Sequence, residues 1–281
     1  MIIGVIGAGT MGNGIAHVFS LYNNTVFLVD VSMDLLKKSY STINNNMERQ
    51  CKKNIINHEQ KDCSLKNIHL TTVLDDLKDC DLVIEAVKED FNIKVDVFKK
   101  LDMICKNETI LASNTSSISI TKLGNKINRS SQIIGMHFMN PVPMMKLVEV
   151  INGEKTSKQT SEFIIELSKN IDKIPIQCND SPGFVSNRIL MPMINEAAYC
   201  LMEGVGEVDA IDSIMKLGMG HPMGPLKLAD LIGLDVCVYI LDILYEGFND
   251  KKYKACPILL DMIKKNKLGK KTKEGFYKYE F

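Results

Sequence analysis

At 281 residues the chain is long enough for two domains of ~150 residues, each with a sizeable core. Thirty-four Lys and Arg against 34 Asp and Glu give a formal net charge of +0, so no global field draws the protein to nucleic acid or to an anionic membrane. With 45% hydrophobic and 24% charged residues, the composition excludes a disordered chain.

Short β-branched runs alternate with helix-period segments through residues 1–180, a pattern that predicts βαβ units and a mostly parallel sheet. Strands are expected at 2–7, 25–30, 68–72, 81–86, 109–113, 133–137, 146–151 and 173–178, several of them too apolar to have a wet face. The first runs into Gly7-Ala8-Gly9-Thr10-Met11-Gly12, which fits G-x-G-x-x-G and opens a helix over 11–21. In a dinucleotide site the first glycine makes the tight turn, the second admits the pyrophosphate, the third lets helix and strand approach, and free helix N–H groups face the phosphates. Asp30 closes the next strand eighteen residues beyond Gly12. Its carboxylate can accept from the adenosine ribose hydroxyls, which selects NAD(H) over NADP(H); capping a helix beginning near Met33 is the alternative role and is compatible with that selection.

Further along, Phe91, Val95, Phe98 and Leu101 are spaced for one helix stripe against the sheet, and a short helix is expected at 118–123. After Ser181-Pro182-Gly183 the strand signal ends, and 184–202, 208–217, 225–245 and 257–265 read as helices. The expected division is therefore 1–180 and an all-helical 181–281. The apolar stretch 226–248 carries Lys227, Asp230, Asp235 and Asp242, so it reads as a buried helix and not as a membrane span. Six lysines between 264 and 273 read as a solvated tail. Eight cysteines, at least a dozen residues apart, contain no C-x-x-C pair, so reduced thiols are expected and no metal site is. No basic, apolar leader precedes the glycine motif, so no export signal is expected.

Ligands of an open parallel sheet sit beyond the carboxyl ends of its strands, which singles out Glu85, Glu89, 114–117 and 137–141. Of five histidines only His137 ends an apolar strand; His17, His58 and His69 look like helix-face or loop residues, and His221 stands in Gly220-His221-Pro222. A strand-end histidine is either structural or catalytic. Glu149, on the following strand, either orients that imidazole or is an edge-strand surface carboxylate. Ser116 suits a cap for helix 118–123, Asn187 a polar helix face, and Arg49, Lys52 and Lys53 a wet helix face.

Seven ordered runs narrow these alternatives: residues 7–16 (GAGTMGNGIA), 81–86 (DLVIEA), 112–117 (ASNTSS), 135–150 (GMHFMNPVPMMKLVEV), 181–190 (SPGFVSNRIL), 221–226 (HPMGPL) and 274–277 (EGFY). Over essentially its whole length the chain resembles the short-chain L-3-hydroxyacyl-CoA dehydrogenase family, and within it the 3-hydroxybutyryl-CoA dehydrogenases. The resemblance implies a Rossmann-type NAD-binding domain followed by an all-α domain. It implies hydride transfer between (S)-3-hydroxyacyl-CoA and 3-ketoacyl-CoA, with His137 as general acid/base, Glu149 as its partner, and Ser116 and Asn187 on the substrate oxygen. It carries Glu89, Lys94, Ser116, Asn140 and Lys271 to the nicotinamide side of NAD, and Lys53 to coenzyme A. It also implies a homodimer formed through the helical domain and a cytoplasmic location, with the mitochondrial matrix as the other compartment relatives use. Two positions depart from the family: Met139 replaces a common aromatic residue, and Lys273 stands where glycine usually precedes the final G-F-Y, which questions the loop carrying Lys271. The rivals are a β-hydroxyacid dehydrogenase acting on a free acid, expected to use a lysine base, and a non-catalytic nucleotide-binding relative.

Overall fold

The structure, a computed structural model, describes residues 1–280. The chain divides into two compact units, Met1–Asp180 and the residues from Ser181 onward. In the first, β1 (Ile2–Ile6), β2 (Thr25–Val29), β3 (Ile68–Thr71), β4 (Leu82–Glu85), β5 (Ile110–Ser113), β6 (Ile133–Phe138), β7 (Leu147–Asn152) and β8 (Ile174–Asn179) form one sheet, each within a residue of its expected bounds. The order is β3-β2-β1-β4-β5-β6-β7-β8. Strands β1 to β6 run parallel. The link from β6 to β7 is too short for a crossover helix, so β7 turns back antiparallel, and β8 then runs parallel to β7.

Both faces of the central strands are covered, which is why β4, β5 and β6 are buried along their whole length and are mostly apolar, their polar residues Glu85, Ser113 and His137 standing at or near the carboxyl ends. The cover is α1 (Thr10–Leu21), α2 (Met33–Lys52), α3 (His58–Lys66), α4 (Phe91–Ile104), α5 (Ile120–Gly124) and α6 (Lys158–Asn170). Val95, Phe98 and Leu101 form the buried stripe of α4 that their spacing predicts. Phe19 of α1 packs edge-on against Phe138 of β6, their ring centroids 6.4 Å apart, within a core that includes Ile3, Ile15, Ile84 and Val148.

Three local readings are corrected. Ser32, not Asp30, occupies the N-cap of α2. Ser119, not Ser116, caps α5, its hydroxyl accepting from the Lys122 N–H at 3.1 Å. His69 lies in β3, where it stacks on Phe27 at 5.2 Å.

The second unit comprises α7 (Ser186–Met202), α8 (Val208–Met219), α9 (Pro225–Ile232), α10 (Leu234–Phe248) and α11 (Pro257–Lys264). The single helix expected over 225–245 is two, broken at Gly233, whose φ of 105° an L side chain resists. Leu234, Cys237, Leu241 and Leu244 of α10 pack with Met191 and Ile194 of α7. Buried Asp212 accepts from the Leu226 and Lys227 N–H groups at 2.8 and 2.9 Å, supplying from α8 the N-terminal cap that Gly224 of α9 lacks. The lysine-rich stretch is solvated as expected, with Lys264, Lys265, Lys270, Lys271 and Lys273 exposed, but it does not end in a loose tail: just beyond it the Phe276 and Tyr277 N–H groups donate to Asp230 of α9, both at 2.9 Å. Within it Lys273 has φ 63°, so lysine holds the left-handed conformation usual for glycine. Among the described residues no helix is long and apolar enough to cross a membrane, and all eight cysteines are free.

Candidate active site

The glycine motif forms the turn from β1 into α1. Gly7 has φ 101°, and a Cβ there would meet the Ala86 carbonyl oxygen at 2.5 Å; at Gly12 it would meet the Gly7 oxygen at 1.7 Å. Nothing lies within 4 Å of a Cβ on Gly9, the N-cap residue of α1, so open space faces the first turn of that helix. This space continues into a cavity of about 740 Å³ bordered by Gly7, Ala8, Gly9, Asp30, Val97 and Lys100. Asp30 fixes the turn: its carboxylate accepts from the Ala8 and Val31 N–H groups, both at 2.7 Å. An uncapped helix start, a glycine open to close approach and an acidic residue at the end of β2 fit a dinucleotide, with backbone N–H groups for the phosphates and apolar walls for the base.

The carboxyl ends of β4 and β5 meet in a buried charge cluster. The Lys94 ammonium, 1% exposed, lies 2.6 Å from Glu85 and 3.2 Å from Glu89. Glu85 also accepts from the Ser113 hydroxyl and the Val87 N–H, each at 2.7 Å; burial pushes its carboxyl above the usual range, with Lys94 opposing. Burial acts the same way on Glu89, but the Lys94 charge and the Thr115 and Ser117 hydroxyls outweigh it and hold the carboxyl low. Glu89 accepts from the Ser116 N–H at 3.0 Å and the Ser117 hydroxyl at 2.8 Å, so an ionised carboxylate shapes the 115–117 turn. Glu89, Lys94 and Ser116, which the resemblance groups on one side of the cofactor, thus form one network. Glu85 and Ser113 complete it.

Strand register produces the third element. His137 on β6 stands directly opposite Glu149 on β7, and Nδ1 lies 2.7 Å from the Glu149 carboxylate. When Nδ1 carries the ring proton, it donates to that carboxylate oxygen. Glu149 is 4% exposed and sits between β6 and β8, so it is no edge-strand surface residue. Asn114, just beyond β5, accepts from the Phe138 N–H at 3.0 Å and pins the end of β6. The connection after it carries Asn140, which with Gly9, Thr10, Asn13, Lys38 and Asn46 borders a second cavity of about 400 Å³.

Three further residues named from the sequence belong to other elements. Lys53 is exposed at the C-cap of α2 and borders neither cavity. Asn187 is buried in the first turn of α7 in the second unit. Lys271, also in the second unit, pairs with Asp235 at 2.5 Å. Sequence reading missed Asn114 as a strand pin and gave no role to buried His17 and Lys173, since a lone histidine or lysine carries no signal of burial.

Comparison with known proteins follows the same division. Residues 2–181 match the family model described as 3-hydroxyacyl-CoA dehydrogenase, NAD binding domain, and residues 183–279 match 3-hydroxyacyl-CoA dehydrogenase, C-terminal domain. The chain is 52% identical over 279 residues to a probable 3-hydroxybutyryl-CoA dehydrogenase of Deinococcus radiodurans, covering 99% of this chain and 100% of that one. It is 50% identical over 279 residues to the 3-hydroxybutyryl-CoA dehydrogenase of Clostridioides difficile, covering 99% of each. The crystal structure of (S)-3-hydroxybutyryl-CoA dehydrogenase from Ralstonia eutropha superposes with a TM-score of 0.97 at 45% identity, covering 100% of this chain and 99% of that one. Matched end to end in both its units, the chain belongs to the 3-hydroxyacyl-CoA dehydrogenase family.

Proposed function

We propose that the chain interconverts (S)-3-hydroxyacyl-CoA and 3-ketoacyl-CoA with NAD(H), and that 3-hydroxybutyryl-CoA, the substrate named for its relatives, is its substrate. The observation that carries this reading is the 2.7 Å contact between His137 and Glu149 at the end of β6, next to the connection that brings Asn140 beside Gly9 and Thr10. NAD(H), when bound, accepts or supplies the hydride. The chain's own residues handle the proton. With Nδ1 held by Glu149, Nε2 is the ring atom that takes the proton from the 3-hydroxyl in oxidation and returns it to the ketone oxygen in reduction. Glu149 fixes the ring and stabilises the imidazolium that forms. The Ser116 hydroxyl, on the turn that Glu89 shapes, supplies a donor for negative charge developing on the substrate oxygen. Asn187 as a second donor and Lys271 on the cofactor are carried by the family resemblance.

Asp30 favours NAD(H), since its carboxylate repels a 2′-phosphate at the same edge. Lys53, with Arg49 and Lys52 at the same end of α2, offers cationic groups to the phosphates of coenzyme A. The free-acid rival needs a lysine base, and buried Lys94 is instead held between two carboxylates. The second unit has the apolar face a homodimer would use: in α8, Ile214, Leu217 and Met219 are more than half exposed. A mass in solution of twice the chain supports that pairing; a monomer at all concentrations rejects it.

Loss of NADH absorbance on adding acetoacetyl-CoA tests the activity, with free acetoacetate and with NADPH as controls. Turnover of the thioester with NADH is expected. Turnover of the free acid alone supports the β-hydroxyacid rival, and saturable NADH binding without turnover supports a nucleotide-binding protein without catalysis.

A further inference from the structure

A buried lysine that plays no part in the proposed chemistry holds the connection between the two strands of the dyad. Lys173, one residue ahead of β8, is 6% exposed, and its ammonium donates to the Val142 and Met145 carbonyl oxygens at 2.6 and 2.8 Å. Burial pushes this ammonium below its ordinary range, and the Lys146 charge adds to the effect. Burying a cation against carbonyls costs free energy, which its two hydrogen bonds offset in part. Residues 139–146 have no ladder to satisfy them: the Met144 and Met145 N–H groups both turn inward to the Pro141 oxygen at 3.0 Å, which leaves the 142 and 145 carbonyls to Lys173.

The same segment is tied at two further points. The Lys146 ammonium pairs with the Asp172 carboxylate, and the Ile174 N–H donates to the Lys146 oxygen at 2.8 Å, fastening the end of the connection to the start of β8. On the other side Val142 presses against α1, so closely that a Cβ on Gly14 would lie 2.8 Å from the Val142 Cβ. Met144 is 76% exposed between these anchors, so the stretch gets no support from packing on its outer side. Asn140 and Pro141 stand at its beginning, bordering the cavity beside Gly9 and Thr10.

We propose that Lys173 is a positioning residue: its ammonium, bridging the Val142 and Met145 carbonyls, sets where residues 139–146 lie and thereby where Asn140 meets the nicotinamide cofactor. The inference rests on the place of Asn140 in the NAD site proposed above.

The test is a double-mutant cycle read by NADH fluorescence on the full chain, with Lys173→Met, Asn140→Ala and the pair. Lys173→Met is expected to weaken NADH binding about fivefold, Asn140→Ala about tenfold, and the pair no more than Asn140→Ala alone, because the lysine acts through the asparagine. Hydrogen exchange at the Met144 and Met145 amides should quicken in Lys173→Met. Unchanged NADH affinity in Lys173→Met, no effect of Asn140→Ala, or effects that multiply in the pair would each overturn the proposal, the last by showing general loss of structure. If Lys173→Met does not fold, Lys173→Gln, still able to donate one hydrogen bond, takes its place in the cycle, and the same three results would overturn the proposal. Turnover of acetoacetyl-CoA by the unaltered chain reports separately on the proposed function, while NADH affinity reports on Lys173 whether or not turnover occurs.

Discussion

His17 gives the fold an acid weakness that can be read quantitatively. It lies on α1, fully buried, with Nε2 3.0 Å from the Gln50 side-chain oxygen. Among the described residues Nδ1 has no hydrogen-bond partner. Burial lowers its pKa from 6.5 to about 4, partly offset by Gln50 and reinforced by the Lys173 charge. The unfolded chain thus takes up a proton near pH 6.5 that the folded chain refuses until about pH 4. Stability from this group is fully present above pH 6.5 and drains away as the pH falls, by roughly 3 kcal/mol in total and ~2 kcal/mol between pH 7 and 5. His17→Gln cannot titrate and can still donate to Gln50. Urea unfolding of both proteins at pH 7 and pH 5 isolates the group, because every other titrating residue is common to the pair. The original protein should lose ~2 kcal/mol more than the variant over that interval. Equal losses would refute the claim that this imidazole is kept neutral by burial.

Three other substitutions probe the glycine turn and the C-terminal segment. Gly9→Ala places its methyl in open space, so the unfolding midpoint should move by less than ~0.5 kcal/mol while NADH affinity falls about tenfold; equal affinity would remove Gly9 from the phosphate site. Gly12→Ala forces a Cβ to 1.7 Å from the Gly7 oxygen and should cost roughly 3 kcal/mol or more, or prevent folding, as circular dichroism would show. Lys273→Gly relieves the left-handed strain at φ 63° and should stabilise by roughly 0.5–1 kcal/mol, a rise of ~1–3 °C in Tm; a fall would mean that the lysine makes a compensating contact.

What could be read from the sequence was whatever depends on local pattern. Apolar runs such as 82–84 announce strands covered on both faces, and the glycine spacing at 7–12 announces a turn with no room for a side chain at Gly7 or Gly12. The His137–Glu149 pair was legible because adjacent strands at a short chain separation bring their residues into register, although the sequence did not reveal that β7 runs antiparallel to β6. Local pattern failed where a long-range partner decides the structure. Residues 225–245 keep an apolar period across Gly233, yet the left-handed residue there splits the helix. For Asp30 helix capping is a minor alternative on sequence grounds, and only the fold shows its carboxylate closing on the Ala8 N–H. Glu85 and Lys94 are nine residues apart, and nothing in that spacing says that both are dry. Lys173 directly precedes a strand whose residues are mostly exposed, so only the tertiary fold reveals its burial beneath the Val142 and Met145 carbonyls.

The proposed chemistry requires that the imidazole beside Glu149 move the proton and not merely support the fold. Turnover of acetoacetyl-CoA by His137→Ala at saturating NADH, with the NADH dissociation constant measured on the same sample, separates the two roles. Loss of at least ~100-fold in kcat is expected, with NADH affinity within about threefold of the original. Unchanged kcat in a protein that binds NADH normally would show that His137 is not the acid/base.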